Sequence, residues 1–365
     1  METSLHQFFN KLPDPRIHRN KKHLLIDIII LSIIAVICGA ESWDSIELFG
    51  KSKKEFLSKI LKLPNGIPSH DTINRVFSLI NATKFENLFI EWVISIKDET
   101  IKSEIISVDG KTLRRSKDSF HQKSPIHVVS AWANNNQLVL GQKKVNEKSN
   151  EITAIPKLLE LLDIEDCIVT IDAMGTQKDI ADTIIENKGN YILALKGNQG
   201  YLKENAENIF NRQKPASTDE IIEKGHGRIE TRKCEVIKQI DFLEDRDKWK
   251  NLKSLIKITA QREINDKSTI ENRLYISSID ADAKDFNTYI RQHWGVENSL
   301  HWTLDVTFRE DDQRKRNGKA AENFSLIQKI ALNLLKQEES KNISIKNKRL
   351  KAAWDNDFLI KILKI

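Results

Sequence analysis

At 365 residues, 39% hydrophobic and 30% charged, the chain is long enough for two or three domains and excludes a disordered or fibrous protein. Its three cysteines, Cys38, Cys167 and Cys234, stand far apart without a CxxC pair, which excludes a disulfide framework and a zinc finger and fits a reducing cytoplasm. Lys and Arg total 58 against 52 Asp and Glu, and this net charge of +6 is too small to imply a polyanionic partner unless the basic residues cluster.

The first hundred residues read as helical. The run LLIDIIILSIIAVICGA, Leu24 to Ala40, is interrupted by Asp27 and Ser32. It falls short of the roughly 20 clean apolar residues a membrane span needs. It is also followed by no small-residue cleavage pattern, so a buried helix is expected, with no membrane partner and no signal peptide. Trp43 to Phe49 and Lys51 to Leu61 continue as one or two helices. In LPNGIPSHDTINRVFSLI, PNG marks a turn, Ser69 an N-cap and Asp71 an acid in the first helical turn. Ile73, Val76 and Phe77 form the apolar side of that helix, while Thr72, Asn74 and Arg75 lie on its polar side. That arrangement suits a helix-turn-helix DNA reader as well as an ordinary helix pair.

From Ile105 the period changes. EIISVD reads as a strand, HVVSAWA and QLVLGQKKV as a strand pair joined by Asn134, Asn135 and Asn136, and ITAIPKLLELLD as a helix. DCIVTIDA, KDIADTIIENK and YILALKGN then alternate strand, helix, strand, which outlines an α/β mixed sheet with flanking helices. Between Lys203 and Asp282 the segments RIETRKCEVI, LKSLIKITAQRE and TIENRLYISSI suggest an antiparallel β-rich insertion. A helix after it is followed by a C-terminal helix, a basic connector holding Lys346, Lys348, Arg349 and Lys351, and a final amphipathic helix. The expected organisation is a helical region 1–100, an α/β core 101–340 interrupted at about 203–282, and a basic tail with a helix at 341–365.

Three acids interrupt apolar sequence. Asp109 follows IISV, Asp172 follows CIVTI, and Glu297 shares a helical face with His293, Trp294, Leu300, His301 and Leu304. A carboxylate so placed is unfavourable unless it is paired or holds a cation. Singly, each reads as a capping or salt-bridging group. Jointly they suggest a three-carboxylate site for divalent ions that act on a phosphodiester, because Mg²⁺ takes a few carboxylates plus water and substrate oxygens. Asp305, Glu310, Asp311 and Asp312 are rivals for the third position. DGKT at 109–112 is no P-loop, since Ile105 stands where its first glycine should be. His293, Glu297 and His301 could hold zinc, but the HExxH pattern is absent.

Basic residues gather near the same points: Lys111, Arg114 and Arg115 after Asp109, Lys196 in LALKGNQG, and Arg291, Arg309, Arg314 and Arg316 around the Glu297 helix. In HGRIETR, strand alternation puts His226, Arg228, Glu230 and Arg232 on one face. Such groups suit a nucleic-acid backbone, and equally a solvated surface.

The chain resembles the H-repeat-associated group of bacterial insertion-sequence transposases, of the DDE type with a ribonuclease-H-like core. The resemblance covers essentially the whole length. It rests on GAESWDSIELFG, LPNGIPSHDTINRVFS, SVDGKTLRRS, HVVSAWA, GQKKVNEKSNEITAIP, TIDAMGTQKDIA, LALKGNQG, HGRIETR, IRQHWGVENSLHWTLDVTFREDDQR and ALNLL. It implies a DNA-binding amino-terminal region and a catalytic triad on Asp109, Asp172 and Glu297, served by Mg²⁺ or Mn²⁺. Related transposases place the glutamate after an arginine, an aromatic residue and Ile or Val, here Arg291, Trp294 and Val296. The lysine that often follows seven residues later is Leu304 in this chain, so its DNA contact does not carry over. The implied function is metal-dependent cleavage of double-stranded DNA at element ends, then transfer to target DNA, by a cytoplasmic homodimer assembled on DNA. The alternatives are a DNA-binding regulator or inactive relic, and a nuclease without strand transfer. Thr72, Asn74, Arg75, Lys111, Arg114, Lys196, His226, Arg228, Arg232, Arg291, Arg309 and Arg314 are the expected DNA contacts.

Overall fold

The computed structural model describes residues 3–17, 21–98, 101, 103–117, 124–145, 151–225, 227–265, 267–340 and 342–364. The helical start comprises α1 (Ser4–Phe9), α2 (Leu25–Ile37), α3 (Trp43–Ser52), α4 (Lys54–Leu57), α5 (His70–Leu79) and α6 (Ala82–Ile96). The apolar run of α2 is buried on nearly every side. Its Asp27 is accommodated because the carboxylate accepts hydrogen bonds from the backbone N–H groups of Lys62 (3.3 Å) and Leu63 (2.8 Å). Among the described residues no helix is long and apolar enough to cross a membrane. Ser69 caps α5 by accepting from the Thr72 N–H at 3.3 Å.

The α/β core follows in the order β1 (Ile105–Leu113), β2 (Ile126–Ala133), β3 (Leu138–Val145), α7 (Glu151–Leu159), β4 (Ile168–Ile171), α8 (Lys178–Glu186) and β5 (Asn190–Leu195). β1, β2 and β3 form an antiparallel meander, while β4 and β5 add parallel to β1. This is a ribonuclease-H-like mixed sheet. Next come α9 (Gly200–Arg212), β6 (Ser217–Gly225), β7 (Arg228–Ile237), β8 (Ser254–Ile264) and β9 (Lys267–Ser277). β9 pairs antiparallel with β5, so the inserted meander lengthens the core sheet into nine strands ordered β3-β2-β1-β4-β5-β9-β8-β7-β6.

The chain returns through α10 (Ala283–His293), a π-helical turn (Val296–His301), α11 (Trp302–Val306), α12 (Ala320–Gln337), α13 (Ile345–Trp354) and α14 (Asn356–Leu363). α12 is buried along almost its whole length and packs against α2, α5, α6 and β3, tying the helical start to the sheet in one apolar cluster. A smaller core, with Cys234, Val236, Ile256, Phe286 and Ile290, fills the space between the inserted strands and α10.

Three local readings are corrected here. β1 continues to Leu113, so Asp109 lies inside a strand rather than at its end. The start of the insertion is the helix α9, whose apolar Leu202, Ala206 and Ile209 are spaced for one buried face. The basic connector near the C-terminus is the helix α13, with Lys348 and Arg349 buried. The Arg349 guanidinium donates to the Val36 carbonyl at 2.9 Å, so its charge caps the C-terminal end of α2.

Candidate active site

Alternation along β1 puts Ser107, Asp109 and Lys111 on the face turned toward the α10–α11 segment. Ser107 Oγ lies 3.5 Å from the Gln292 carbonyl, Asp109 Oδ2 is 3.4 Å from His301 Nδ1, and Lys111 pairs with Asp305. Gly110 points the other way, where a methyl group would overlap the side chains of Glu151 and His127. Asp172 directly follows β4, the parallel neighbour of β1. Its Oδ1 accepts from the N–H groups of Met174 (3.1 Å) and Gly175 (3.4 Å), which fixes the carboxylate at the strand end.

Glu297 arrives on the π-helical turn, a feature that often marks functional sites. In that turn Val296 and Leu300 are buried while Glu297 is exposed. Two contacts set the position of the segment. Thr170 Oγ1 is hydrogen bonded to His293 Nδ1 at 2.9 Å and to Ser107 Oγ at 3.2 Å, joining β1, β4 and α10. Gly295 passes against Asn134 so closely that a methyl group would overlap its side-chain oxygen. Burial holds His293 and His301 near pKa 4, so both rings are neutral at pH 7.

Asp109, Asp172 and Glu297 line one cavity of about 470 Å³, together with Lys196, Lys203 and Arg273. The Arg273 guanidinium stacks 5.0 Å from the Trp294 ring. Burial pushes the Asp109 carboxyl up to about 7, with Asp172, Glu151 and Glu297 adding to the rise. Among the described residues, neither Asp172 nor Glu297 has an ion-pair partner, and no group of three His, Cys, Asp or Glu side chains is gathered tightly enough to ligate one ion.

The rival acids are occupied. Lys111 Nζ pairs with Asp305 and lies 2.7 Å from Glu310 Oε2, and Lys329 Nζ lies 3.5 Å from Glu310 Oε1. Asp311 is 3.4 Å from Arg114, and Asp312 is 3.1 Å from Arg309. His293 and His301 are tied to Thr170 and Asp109, which leaves the zinc arrangement without support. Glu151 escaped the sequence reading; its carboxylate bonds His127 Nε2 at 2.7 Å on the far face of β1. The only sequence sign of it was its place in the block GQKKVNEKSNEITAIP.

The expected DNA contacts scatter. Lys196 lines the cavity of the three acids, whereas Asn74, Arg309 and Arg314 line a separate cleft. Arg75 and Arg114 are exposed, and the Thr72 hydroxyl is engaged with Ser69 at 3.1 Å. Arg291 is exposed but lies 3.2 Å from Glu223. His226 lies outside the described residues. Two assignments are corrected. Lys111, only partly exposed, is held in its pair with Glu310 and Asp305, and so is not free for a phosphate. On β7, Arg228, Glu230 and Arg232 do share a face, but α10 packs over it; Arg232 is buried and only Arg228 of the two arginines is exposed.

The family described as "Transposase DDE domain" matches residues 100–334, and the one described as "DDE_Tnp_1-associated" matches residues 6–93. The "Putative transposase YncI" of Escherichia coli O157:H7 is 45% identical over 99% of this chain and 94% of its own length. The "H repeat-associated putative transposase YhhI" of Escherichia coli K12 is 44% identical over 96% of this chain and 95% of its own. Among solved structures, a piggyBac transposase synaptic complex with hairpin DNA aligns at a TM-score of 0.45 and 12% identity over 99% of this chain and 77% of that one, a likeness too slight to bear on function. On the family match and the full-length relatives, the chain belongs to the DDE-domain transposases, in their H-repeat-associated group.

Proposed function

We propose that the protein cuts DNA at the ends of an insertion sequence and joins the freed strands to target DNA, with Asp109, Asp172 and Glu297 as its catalytic carboxylates. The observation that carries this reading is that these three acids, delivered by β1, the end of β4 and the π-helical turn, open into one cavity while every rival acid nearby is held by a lysine or arginine. Burial raises the Asp109 carboxyl, and repulsion from Asp172, Glu151 and Glu297 adds to the rise. Hard oxygen donors of this kind fit Mg²⁺ or Mn²⁺, and Asp109, Asp172 and Glu297 would hold the ions. When bound, such ions activate an attacking hydroxyl and offset charge at phosphorus.

The chain's own groups do the positioning. Lys196 at the cavity offers a cation to phosphate oxygens of the strand being cut, while Arg273 and Lys203 line it already paired with Glu271 and Glu207. Asp172 is held by two backbone N–H groups, and the Glu297 segment is held by His293 and Gly295, so the elements that carry these acids are fixed and only the side chains need close on the ions. Water attacking phosphorus breaks the P–O3′ bond and leaves a free 3′-hydroxyl. That hydroxyl then attacks a target phosphodiester and displaces its 3′-oxygen. Both steps are in-line displacements, so one cavity serves both, with one protomer of a dimer at each element end.

The test is an assay of the purified protein on duplexes carrying the terminal repeats that flank its gene, with Mg²⁺ or Mn²⁺. Nicked ends with 3′-hydroxyls and joined products are expected. Asp172→Ala and Glu297→Gln should each lower cleavage on the order of 10³-fold or more, the loss of several kcal/mol of charge stabilisation. Cleavage by Asp172→Ala at the wild-type rate would remove the mechanism, and cleavage without joined product would reduce the protein to a nuclease.

A further inference from the structure

Away from the carboxylate cavity, segment 309–317 meets the N-terminal helices and encloses a second cleft of about 760 Å³. We propose that this cleft binds the sugar-phosphate backbone of duplex DNA flanking the site of cleavage. The proposal rests on the DNA-processing reading above but concerns a separate site, since the two cavities share no lining residue.

Guanidinium groups from separate parts of the chain converge there. Arg115 comes from the turn after β1, and Arg309, Arg314 and Arg316 come from segment 309–317, while Asn74 of α5 stands on the opposite wall. Arg309 and Arg115 lie 3.1 and 3.5 Å from the shared acid Asp312, and Arg309 is 3.7 Å from Glu41. Asp44 also lines the cleft. Arg314 and Arg316 are exposed and have no ion-pair partner among the described residues, so their charge is available to an anion.

The segment that carries them is anchored. Exposure runs outward, inward, outward along Arg314, Lys315 and Arg316, as in an extended strand. The inward Lys315 is buried with its ammonium 3.6 Å from the Phe324 ring centre and 5.0 Å from that of Trp43, donating to the Glu41 carbonyl at 2.8 Å. Gly318 adopts φ +49°, and a side chain there would strike the Ser78 carbonyl at the end of α5. The Lys319 N–H donates to that same carbonyl at 3.0 Å, and Asn323 Nδ2 donates to the Phe77 carbonyl at 2.8 Å. A loop fastened through Lys315 to Glu41 and Trp43, and beyond Gly318 to the end of α5, presents Arg314 and Arg316 about 6–7 Å apart on one side. That spacing suits neighbouring phosphates of one strand, and the bidentate geometry of guanidinium suits phosphate oxygens. Asn74, half-buried on α5, faces the same space from the part of the chain expected to recognise the element end.

The experiment uses the full chain, wild type and Arg314→Ala/Arg316→Ala, and a fluorescent duplex of about 30 base pairs through a potassium chloride series from about 50 to 200 mM. The double variant should bind on the order of tenfold or more weakly. Its slope of log affinity against log salt should be shallower by about 2, one counterion for each phosphate contact removed. Its melting temperature should be unchanged, because both side chains are exposed, and Arg314→Lys/Arg316→Lys should restore most of the slope. Equal affinity and equal slope for wild type and the alanine variant would overturn the cleft assignment while leaving the carboxylate cavity standing, provided the wild type still cuts duplex. A wild-type protein that binds no duplex at any salt would overturn both proposals together.

Discussion

Asp109 and Lys111 sit two residues apart on the same face of β1, yet their surroundings are opposite in kind. Lys111 is enclosed with Glu310, Asp305 and Lys329, each charge answered by another; burial alone would raise the Glu310 carboxyl, and the two lysines hold it low. Asp109 opens toward Asp172 and Glu297 with no lysine or arginine paired to it among the described residues, and burial, with the neighbouring acids adding, raises its carboxyl to about 7. A third acid, Glu104 just upstream, shows a purely structural solution: it is buried and accepts from the N–H groups of Ile105, Asn135 and Asn136. Within a few residues the chain thus carries an acid satisfied by backbone N–H groups, an acid without a lysine or arginine partner and a neutralised base. Only Asp109 stands where a cationic partner is wanted. Acid content alone therefore does not locate the site; the state of each acid's partners does.

The neutralised half of this contrast should respond in stability. Lys111→Met leaves Glu310 buried with Lys329 as its remaining cation, and a loss of about 3–5 kcal/mol is expected in urea unfolding. A loss below about 1 kcal/mol would mean that the pair is not structural. Gly295→Ala forces a methyl group onto Asn134 and should cost about 1–3 kcal/mol while shifting the Glu297 turn. Manganese affinity, read by titration calorimetry, should fall in that variant even where circular dichroism shows the fold intact. Unchanged affinity would show that the turn need not sit where it does.

Asp109→Asn should act in the opposite direction on the metal-free protein. Folded Asp109 keeps its proton up to about pH 7, whereas in the unfolded chain it ionises near 3.8. Between those values the folded state binds more protons, so this group makes stability fall as pH rises through the window. The asparagine variant escapes that loss. It should melt higher than wild type at pH 8 by roughly 2 °C or more, with the gap closing toward pH 4. A gap of the same size at both pH values would point to packing rather than charge.

The periodicities carried much of the architecture. The helical start, the meander, the parallel pair and the inserted strands each follow from apolar spacing, and Asp27, Ser69 and the Asn134–Asn136 turn play the local roles their residue types suit. What sequence could not supply were partners distant along the chain. Lys111 reads as a free base until Asp305 and Glu310, nearly two hundred residues on, are seen beside it. The β7 alternation was legible, but not that α10 would cover the face carrying Arg232. The π-helical turn at Glu297 follows no simple period, because a 3.6-residue count passes through it unbroken. α13 was obscured by its charge, since Lys348 and Arg349 look like solvated surface until they are found buried, with Arg349 at the end of α2.

The most direct test is anomalous scattering from crystals of the full chain soaked in Mn²⁺. Asp109, Asp172 and Glu297 should each place a carboxylate oxygen about 2.0–2.2 Å from a manganese peak inside the shared cavity, distances usual for a small octahedral dication. Peaks held by Asp305 or Glu310, with Glu297 turned away, would contradict the assignment of the three carboxylates.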